Sequence, residues 1–245
     1  MNLRKPSRLR RVVSTLLAGV IAIGCSISEG SGSAKGSLNV TDCWSGPYNL
    51  EPDFFTASPY REKSLVIRIQ RGGDYQNFSD GLSILVDDIE DVRSRLGETL
   101  AVDLPPAVFP LGEASVPDPN PAPASASLFL QQTCRTQNTA LYAVDRALLD
   151  ENGECFGEAP PECTATSVPD TRIGTSKITF TKLFNGVIDE PDAADRLIEG
   201  SFDFFLVDPR EICFGAAGAP PRCRGHLTGD FRFYFQRGRP GQAFP

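Results

Sequence analysis

The amino-acid sequence predicts an all-β protein, an antiparallel two-sheet sandwich with disulfide-stapled loops, with a closed β-barrel as the alternative arrangement of the same strands. Three observations carry this expectation: apolar and polar residues alternate with period two in several segments, Pro- and Gly-rich stretches separate those segments, and six cysteines are spread through the body of the chain. The length of 245 residues suits one large β domain.

Nine strands are expected. Four show clear alternation. In Ser64–Arg71, Leu65, Ile67 and Ile69 share one face, with Arg68 and Gln70 on the other. In Thr175–Phe184, Ile178 and Phe180 oppose Thr179 and Thr181. In Gly200–Val207, Phe202, Phe204 and Leu206 alternate with Ser201, Asp203 and Phe205. In Leu227–Gln236, Leu227, Phe231, Phe233 and Phe235 oppose Thr228, Asp230, Arg232 and Tyr234. The remaining five are Ser37–Cys43, Gly81–Val86, Thr99–Leu104, Ser127–Cys134 and Thr139–Val144. Gln137-Asn138 and Asn152-Gly153 read as turns. Short helical turns are expected at Asp91–Leu96 and at Asp192–Ile198, the latter after Glu190-Pro191. Residues 105–123 hold seven prolines, which exclude a central strand and mark a long loop within a single β domain, 38–245. Irregular strand lengths and proline interruptions argue against a transmembrane barrel.

The N-terminus reads as an address. Arg4, Lys5, Arg8, Arg10 and Arg11 precede an uncharged, mostly apolar run, Val12 to Ile23. That run is too short to span a bilayer, which takes about 20 helical residues. Residues 1–24 therefore read as a signal peptide. Its end, Ala22-Ile23-Gly24-Cys25, resembles the lipobox of bacterial lipoproteins. The resemblance implies that Cys25 becomes the acylated first residue, with membrane lipid as its partner. It also implies a bacterial cell-envelope location, in the outer membrane if the host has two, since Ser26 follows the cysteine. Cleavage by ordinary signal peptidase and secretion is the alternative. Residues 25–37, rich in Gly and Ser, read as the lipidated cysteine and a flexible tether. Five basic and no acidic residues leave with the signal, so 19 basic and 31 acidic remain and a net charge of −7 becomes −12. An acidic body is not drawn to anionic lipid, nor to nucleic acid.

With Cys25 assigned to lipid, Cys43, Cys134, Cys155, Cys163, Cys213 and Cys223 form an even set. Six cysteines allow 15 pairings. Two segments share the frame C-F-G…A-P-P-x-C, at 155–163 and 213–223. They read as stapled loops, so the expected bridges are Cys155–Cys163, Cys213–Cys223 and a long clasp, Cys43–Cys134. Phe156 and Phe214 would sit in those loops as candidate partner anchors. The cysteine spacings do not resemble a zinc site, and no metal or cofactor is implied.

Chemistry is sparsely signalled. One histidine, His226, excludes two- and three-histidine metal sites, and phosphate-loop, nucleophile-elbow and dinucleotide motifs are absent from the sequence. Asp230 lies four strand residues from His226, about 13 Å, beyond a hydrogen bond. The acidic run Asp87-Asp88-Ile89-Glu90-Asp91 lacks the calcium-loop order and reads as a solvated loop. No catalytic residue is singled out. The expectation is an envelope lipoprotein whose β domain binds an envelope protein or glycan or gives structural support. The alternative is a carboxylate-based hydrolase acting on glycans.

Overall fold

The computed structural model describes residues 30–72, 79–104, 122–135, 139–155, 172–211 and 220–235. Cys25, Cys163, Cys213, Phe156, Phe214, the signal segment, the Gln137-Asn138 turn and most of the Pro-rich stretch lie outside them.

The described chain is antiparallel β. Its strands are β1 (Gly30–Val40), β2 (Trp44–Leu50), β3 (Phe54–Pro59), β4 (Leu65–Gln70), β5 (Asp80–Val86), β6 (Thr99–Ala101), β7 (Ala124–Leu130), β8 (Ala140–Ala143), β9 (Ala147–Leu148), β10 (Ile173–Gly174), β11 (Lys177–Lys182), β12 (Leu197–Val207) and β13 (Cys223–Tyr234). One sheet runs in the order β2-β1-β13-β12-β8-β7-β5-β4-β3, with β11 paired to β12 and β6 to β11, and β9 and β10 form a small second sheet. Residues 51–53 join β2 to β3, the two ends of that path, so the sheet must curl to bring its ends together.

The curl follows from period two. Leu65, Ile67 and Ile69 of β4, Leu82, Ile84 and Val86 of β5, and Leu227, Phe231 and Phe233 of β13 all face one shared core. Phe55 reaches across to Phe233 with ring centroids 5.9 Å apart, and Phe180 meets Phe231 edge-on at 6.0 Å. Strand β12 organises the centre. Along one edge it pairs with β13 from Leu197↔Tyr234 to Val207↔Cys223. Its other edge is divided between β11 and the two-residue contact with β8, Leu206↔Ala143 and Val207↔Tyr142.

The flexible tether expected over residues 25–37 is corrected from Gly30 onward. Gly30–Ser37 is strand, paired with β13 from Gly30↔Phe233 to Ser37↔His226. The glycines serve close backbone approach here: a Cβ at Gly36 would lie 1.8 Å from the His226 carbonyl oxygen, and one at Gly229 would lie 2.0 Å from that of Ser33. Composition alone reads such a segment as coil. Strands β2 and β3 were not expected, because Gly46, Pro47 and Pro59 break their pattern, and both sit at sheet edges where proline is tolerated.

The expected helix near residue 91 forms as α1 (Ile89–Ser94), capped by the Asp88 carboxylate, which accepts from the Glu90 and Asp91 amides at 2.9 and 3.2 Å. The short helical turn expected over Asp192–Ile198 forms as a single 3-10 turn, Ala194–Arg196, after which β12 begins and carries Ile198 into the core. Asn152-Gly153 turns as expected, with the Asp150 carboxylate accepting from the Asn152 and Glu154 amides, both at 2.8 Å.

Two disulfides are present among the described residues. Cys43–Cys134 is the expected clasp, closing 91 residues. The second, Cys155–Cys223, overturns both local staples and leaves Cys163 and Cys213 without the partners expected for them. Its cause is tertiary. Leu148 donates its amide to the Pro221 carbonyl at 2.7 Å and bridges to Arg222, which lays the 147–155 segment beside the start of β13. Cys155 and Cys223 then stand 4.7 Å apart between Cα atoms, in a small second apolar cluster with Val144, Ala147 and Val207. Closing 91 and 68 residues, the two bridges each stabilise by about 4–5 kcal/mol in the loop-entropy view.

A buried carboxylate braces the Cys43–Cys134 region. Asp80 is 2% exposed and accepts from the Gln132 and Thr133 amides at 2.9 and 3.0 Å, from the Thr133 hydroxyl, and from the Tyr48 phenol at 3.2 Å. Burial first, then the Asp80 charge, raises the Tyr48 pKa far above the ordinary phenol value, so Tyr48 stays a neutral donor. Asp80→Ala strands four donors and is expected to lower unfolding free energy by about 3–5 kcal/mol in urea titration, whereas Tyr48→Phe lowers it by about 1–2. Peptide mapping without reductant is expected to recover Cys155 linked to Cys223; recovery of Cys155 linked to Cys163 would restore the local staple.

Candidate functional site

The outward face of the β4-β5-β7-β8 sheet is hollow at its middle. Register places Arg68, Ser83, Ser127 and Tyr142 in one row across the four strands, each the Cα partner of the next. The adjacent row carries Val66, Leu85 and Ser125. Serines at 83, 125 and 127 are short, so they form a floor between the longer Arg68 and Tyr142. Three strand spacings separate those two, about 14 Å. The result is a groove of about 780 Å³, within the size range of ligand sites.

Its rim is assembled from three segments that tie one another down. Tyr60 and Ser64 close a tight turn, with the Tyr60 amide donating to the Ser64 carbonyl at 2.9 Å. The Ser64 hydroxyl donates to the Asp87 carbonyl at 2.9 Å, and the Asp87 amide donates to the Pro123 carbonyl at 3.1 Å. The Ile89 amide donates to the Lys63 carbonyl at 2.8 Å, fixing the start of α1. Pro123 and Ala122 thus bring the end of the Pro-rich stretch to the rim. Tyr60 is 58% exposed, and the Arg61 guanidinium lies 5.1 Å from its ring centroid.

Four groups in the groove are electrostatically displaced. Burial raises the Asp87 carboxyl above the ordinary carboxylate value, partly offset by Arg61. Burial lowers the Arg68 guanidinium and raises the Tyr142 phenol. The Asp91 amide, with the Glu90 amide, holds the Asp88 carboxyl below its ordinary value. Of the acidic run, Asp88 is engaged as helix cap and Asp91 pairs with Arg95 at 3.5 Å, which leaves Asp87 as the carboxyl whose charge is desolvated in the groove. Such a concentration of displaced groups in a concave surface is characteristic of binding and catalytic sites.

Sequence alone does not bring these side chains together. Arg68 lies on an outward strand face and Asp87 in an acidic run, whereas Ser83, Ser125, Ser127, Tyr142 and Tyr60 carry no local motif. The available signal was small polar residues at outward strand positions, which only register turns into a groove.

His226 lies elsewhere. Its Nε2 is 2.6 Å from Asp203 Oδ1, on the diagonal of the neighbouring strand, and its ring stacks on Phe205 at 4.2 Å. A carboxylate partner thus comes from β12 rather than from Asp230, which accepts from the Ser33 hydroxyl at 2.7 Å. The pair sits on an open sheet face, part of a ladder with Glu199 and Arg232 at 3.2 Å. Cys43, Cys134, Cys155 and Cys223 are structural, far from the groove in role; Cys25, Cys163 and Cys213 lie outside the described residues.

The desolvated carboxyl has a measurable consequence. Its folded-state pKa exceeds the unfolded value, so Asp87 costs stability progressively as pH rises from 3.8 through the folded pKa. Asp87→Asn is therefore expected to unfold at a higher temperature than the parent at pH 7, with the difference shrinking towards zero below pH 3.8 in calorimetric scans. A variant less stable than the parent at pH 7 would contradict this.

No family description, curated protein or solved structure matches this chain, so the site stands on its own geometry.

Proposed function

We propose that this chain is a bacterial envelope lipoprotein whose acylated Cys25 anchors a β domain that binds an extended polar ligand, a glycan, in the groove between Arg68 and Tyr142. The observation that carries the reading is the serine floor in register between a guanidinium and a phenol. Closely spaced hydroxyls, a cation and aromatic faces at the ends suit a chain of sugar hydroxyls lying across the strands. Two disulfides fit an oxidising compartment, and no helix among the described residues is long and apolar enough to cross a membrane. In this reading signal removal leaves a net charge of −12, and the lipid rather than electrostatics holds this acidic body at the envelope.

A second reading rests on one observation. Burial raises the Asp87 carboxyl in the groove, the direction that a general acid needs. A glycan hydrolase would use such an acid.

The test uses soluble oligosaccharides released from envelope glycan. Ser127→Leu fills the floor without entering the core and is expected to weaken binding at least about tenfold, equal to about 1.4 kcal/mol, as is Arg68→Ala. Unchanged affinity in both variants would remove the groove from the proposal. Ligand cleaved by the parent and left intact by Asp87→Asn favours the hydrolase. Acyl label that persists in Cys25→Ala would sink the anchor.

A further inference from the structure

Because β1 begins at Gly30, the folded domain starts close to Cys25. If Cys25 is acylated, four residues rather than twelve separate it from the first strand residue. Fully extended, the step from Cys25 to Gly30 spans at most about 18 Å. The end of the sheet where β1 begins is therefore held near the bilayer surface, and what that end displays becomes a question of function.

Register identifies its occupants. Ser31, Arg232, Glu199 and Lys182 lie in one row across β1, β13, β12 and β11. Beyond Lys182 the chain continues at the same end: Phe184 stacks on Phe235 at 4.2 Å, and the Phe235 amide donates to the Arg196 carbonyl at 2.8 Å. The loop tip between them carries Val187 and Ile188, 53% and 47% exposed, two of the five large apolar side chains exposed among the described residues. They are adjacent, and the loop holds them out. The Val187 amide donates to Asn185 Oδ1 at 2.8 Å, the Glu190 amide to the Val187 carbonyl at 3.1 Å, and the Asn185 side-chain amide to Glu190 Oε2 at 3.1 Å. Gly186 turns the chain at φ +85°. A braced turn that presents two aliphatic side chains to solvent, beside the point where a lipid anchor enters, calls for an apolar surface to cover it.

We propose that the Val187–Ile188 tip rests in the headgroup boundary of the bilayer to which Cys25 is anchored, so that the domain is oriented on the membrane rather than swinging on a tether. The inference rests on the acylation of Cys25. The surface it fits is zwitterionic, because Asp189, Glu190 and Asp192 follow the tip and an anionic leaflet would repel them. Orientation also follows for the far end: Trp44 pairs with Val40, ten residues along β1 from Gly30 and so about 33 Å away along the strand.

Trp44 is the chain's one tryptophan, which supplies an internal control. The acylated mature protein is reconstituted with phosphatidylcholine vesicles carrying bromine on their acyl chains. Native Trp44 is expected to keep its emission on binding. Ile188→Trp or Val187→Trp, each in a Trp44→Phe background, is expected to lose most of its emission and shift to the blue. Protein that floats with vesicles but leaves both introduced indoles unquenched overturns the orientation and spares the anchor. Acylated protein that fails to float, or Cys25→Ala that floats equally, overturns the anchor reading and this one with it.

Discussion

The structure depends on β13 being paired along both edges. Twelve residues of one strand lie between β1 and β12, so that most of its backbone donors and acceptors are met inside the sheet while its alternate side chains enter the core. Phe231 and Phe233, each 1% exposed, then face Phe180 and Phe55 from the two arms of the curl. Displacing β13 by one residue would turn both rings to solvent and lose the apolar contact that holds the arms together. The glycines of β1 and β13 are the condition for this pairing, because a side chain at Gly36 or Gly229 would strike the opposing carbonyl.

The remaining braces secure what the ladder leaves weak. The two arms of the sheet join through two residue pairs between β8 and β12 and through the isolated bridge of Val102 to Ala124. The Cys155–Cys223 bridge and the Arg224–Glu211 pair, with the guanidinium 1% exposed and 2.9 Å from Glu211 Oε1, lie beside that junction at the start of β13. The Cys43–Cys134 bridge and the Asp80 network bind β2 to the turn after β7, from the opposite arm. Against this scaffold the groove is an exception. There a carboxyl, a guanidinium and a phenol are all held in environments that disfavour their charged forms, and three serines occupy positions that longer side chains would cover. Locally unfavourable placement on a rigid sheet is how binding sites are generally built.

Much of the fold was legible where period two ran unbroken. The alternations in Ser64–Arg71, Thr175–Phe184, Gly200–Val207 and Leu227–Gln236 locate β4, β11, β12 and β13 to within a few residues, because half-buried strands impose that pattern directly. Legibility failed where one residue type serves two purposes. Glycine in Gly30–Ser37 signals a tether by composition and a tight ladder by contact. Proline in 44–50 and 54–59 signals loop, yet edge strands tolerate it. The groove was hardly legible at all. Arg68, Ser83, Ser127 and Tyr142 span 75 positions of sequence and become neighbours only through the register of four strands.

The sequence by itself determined the class of fold and the segments that form the central strands, since each is written in local pattern; the Cys43–Cys134 clasp followed only as the remainder of two local staples that do not form. The tertiary structure alone decided that Cys155 bonds Cys223, that Gly30 begins a strand, and that a serine floor lies between a guanidinium and a phenol. The reason is common to all three. Two similar loops do not indicate which cysteine stands opposite which, and alternation does not indicate which strands become neighbours; those distances exist only once the ladder is closed.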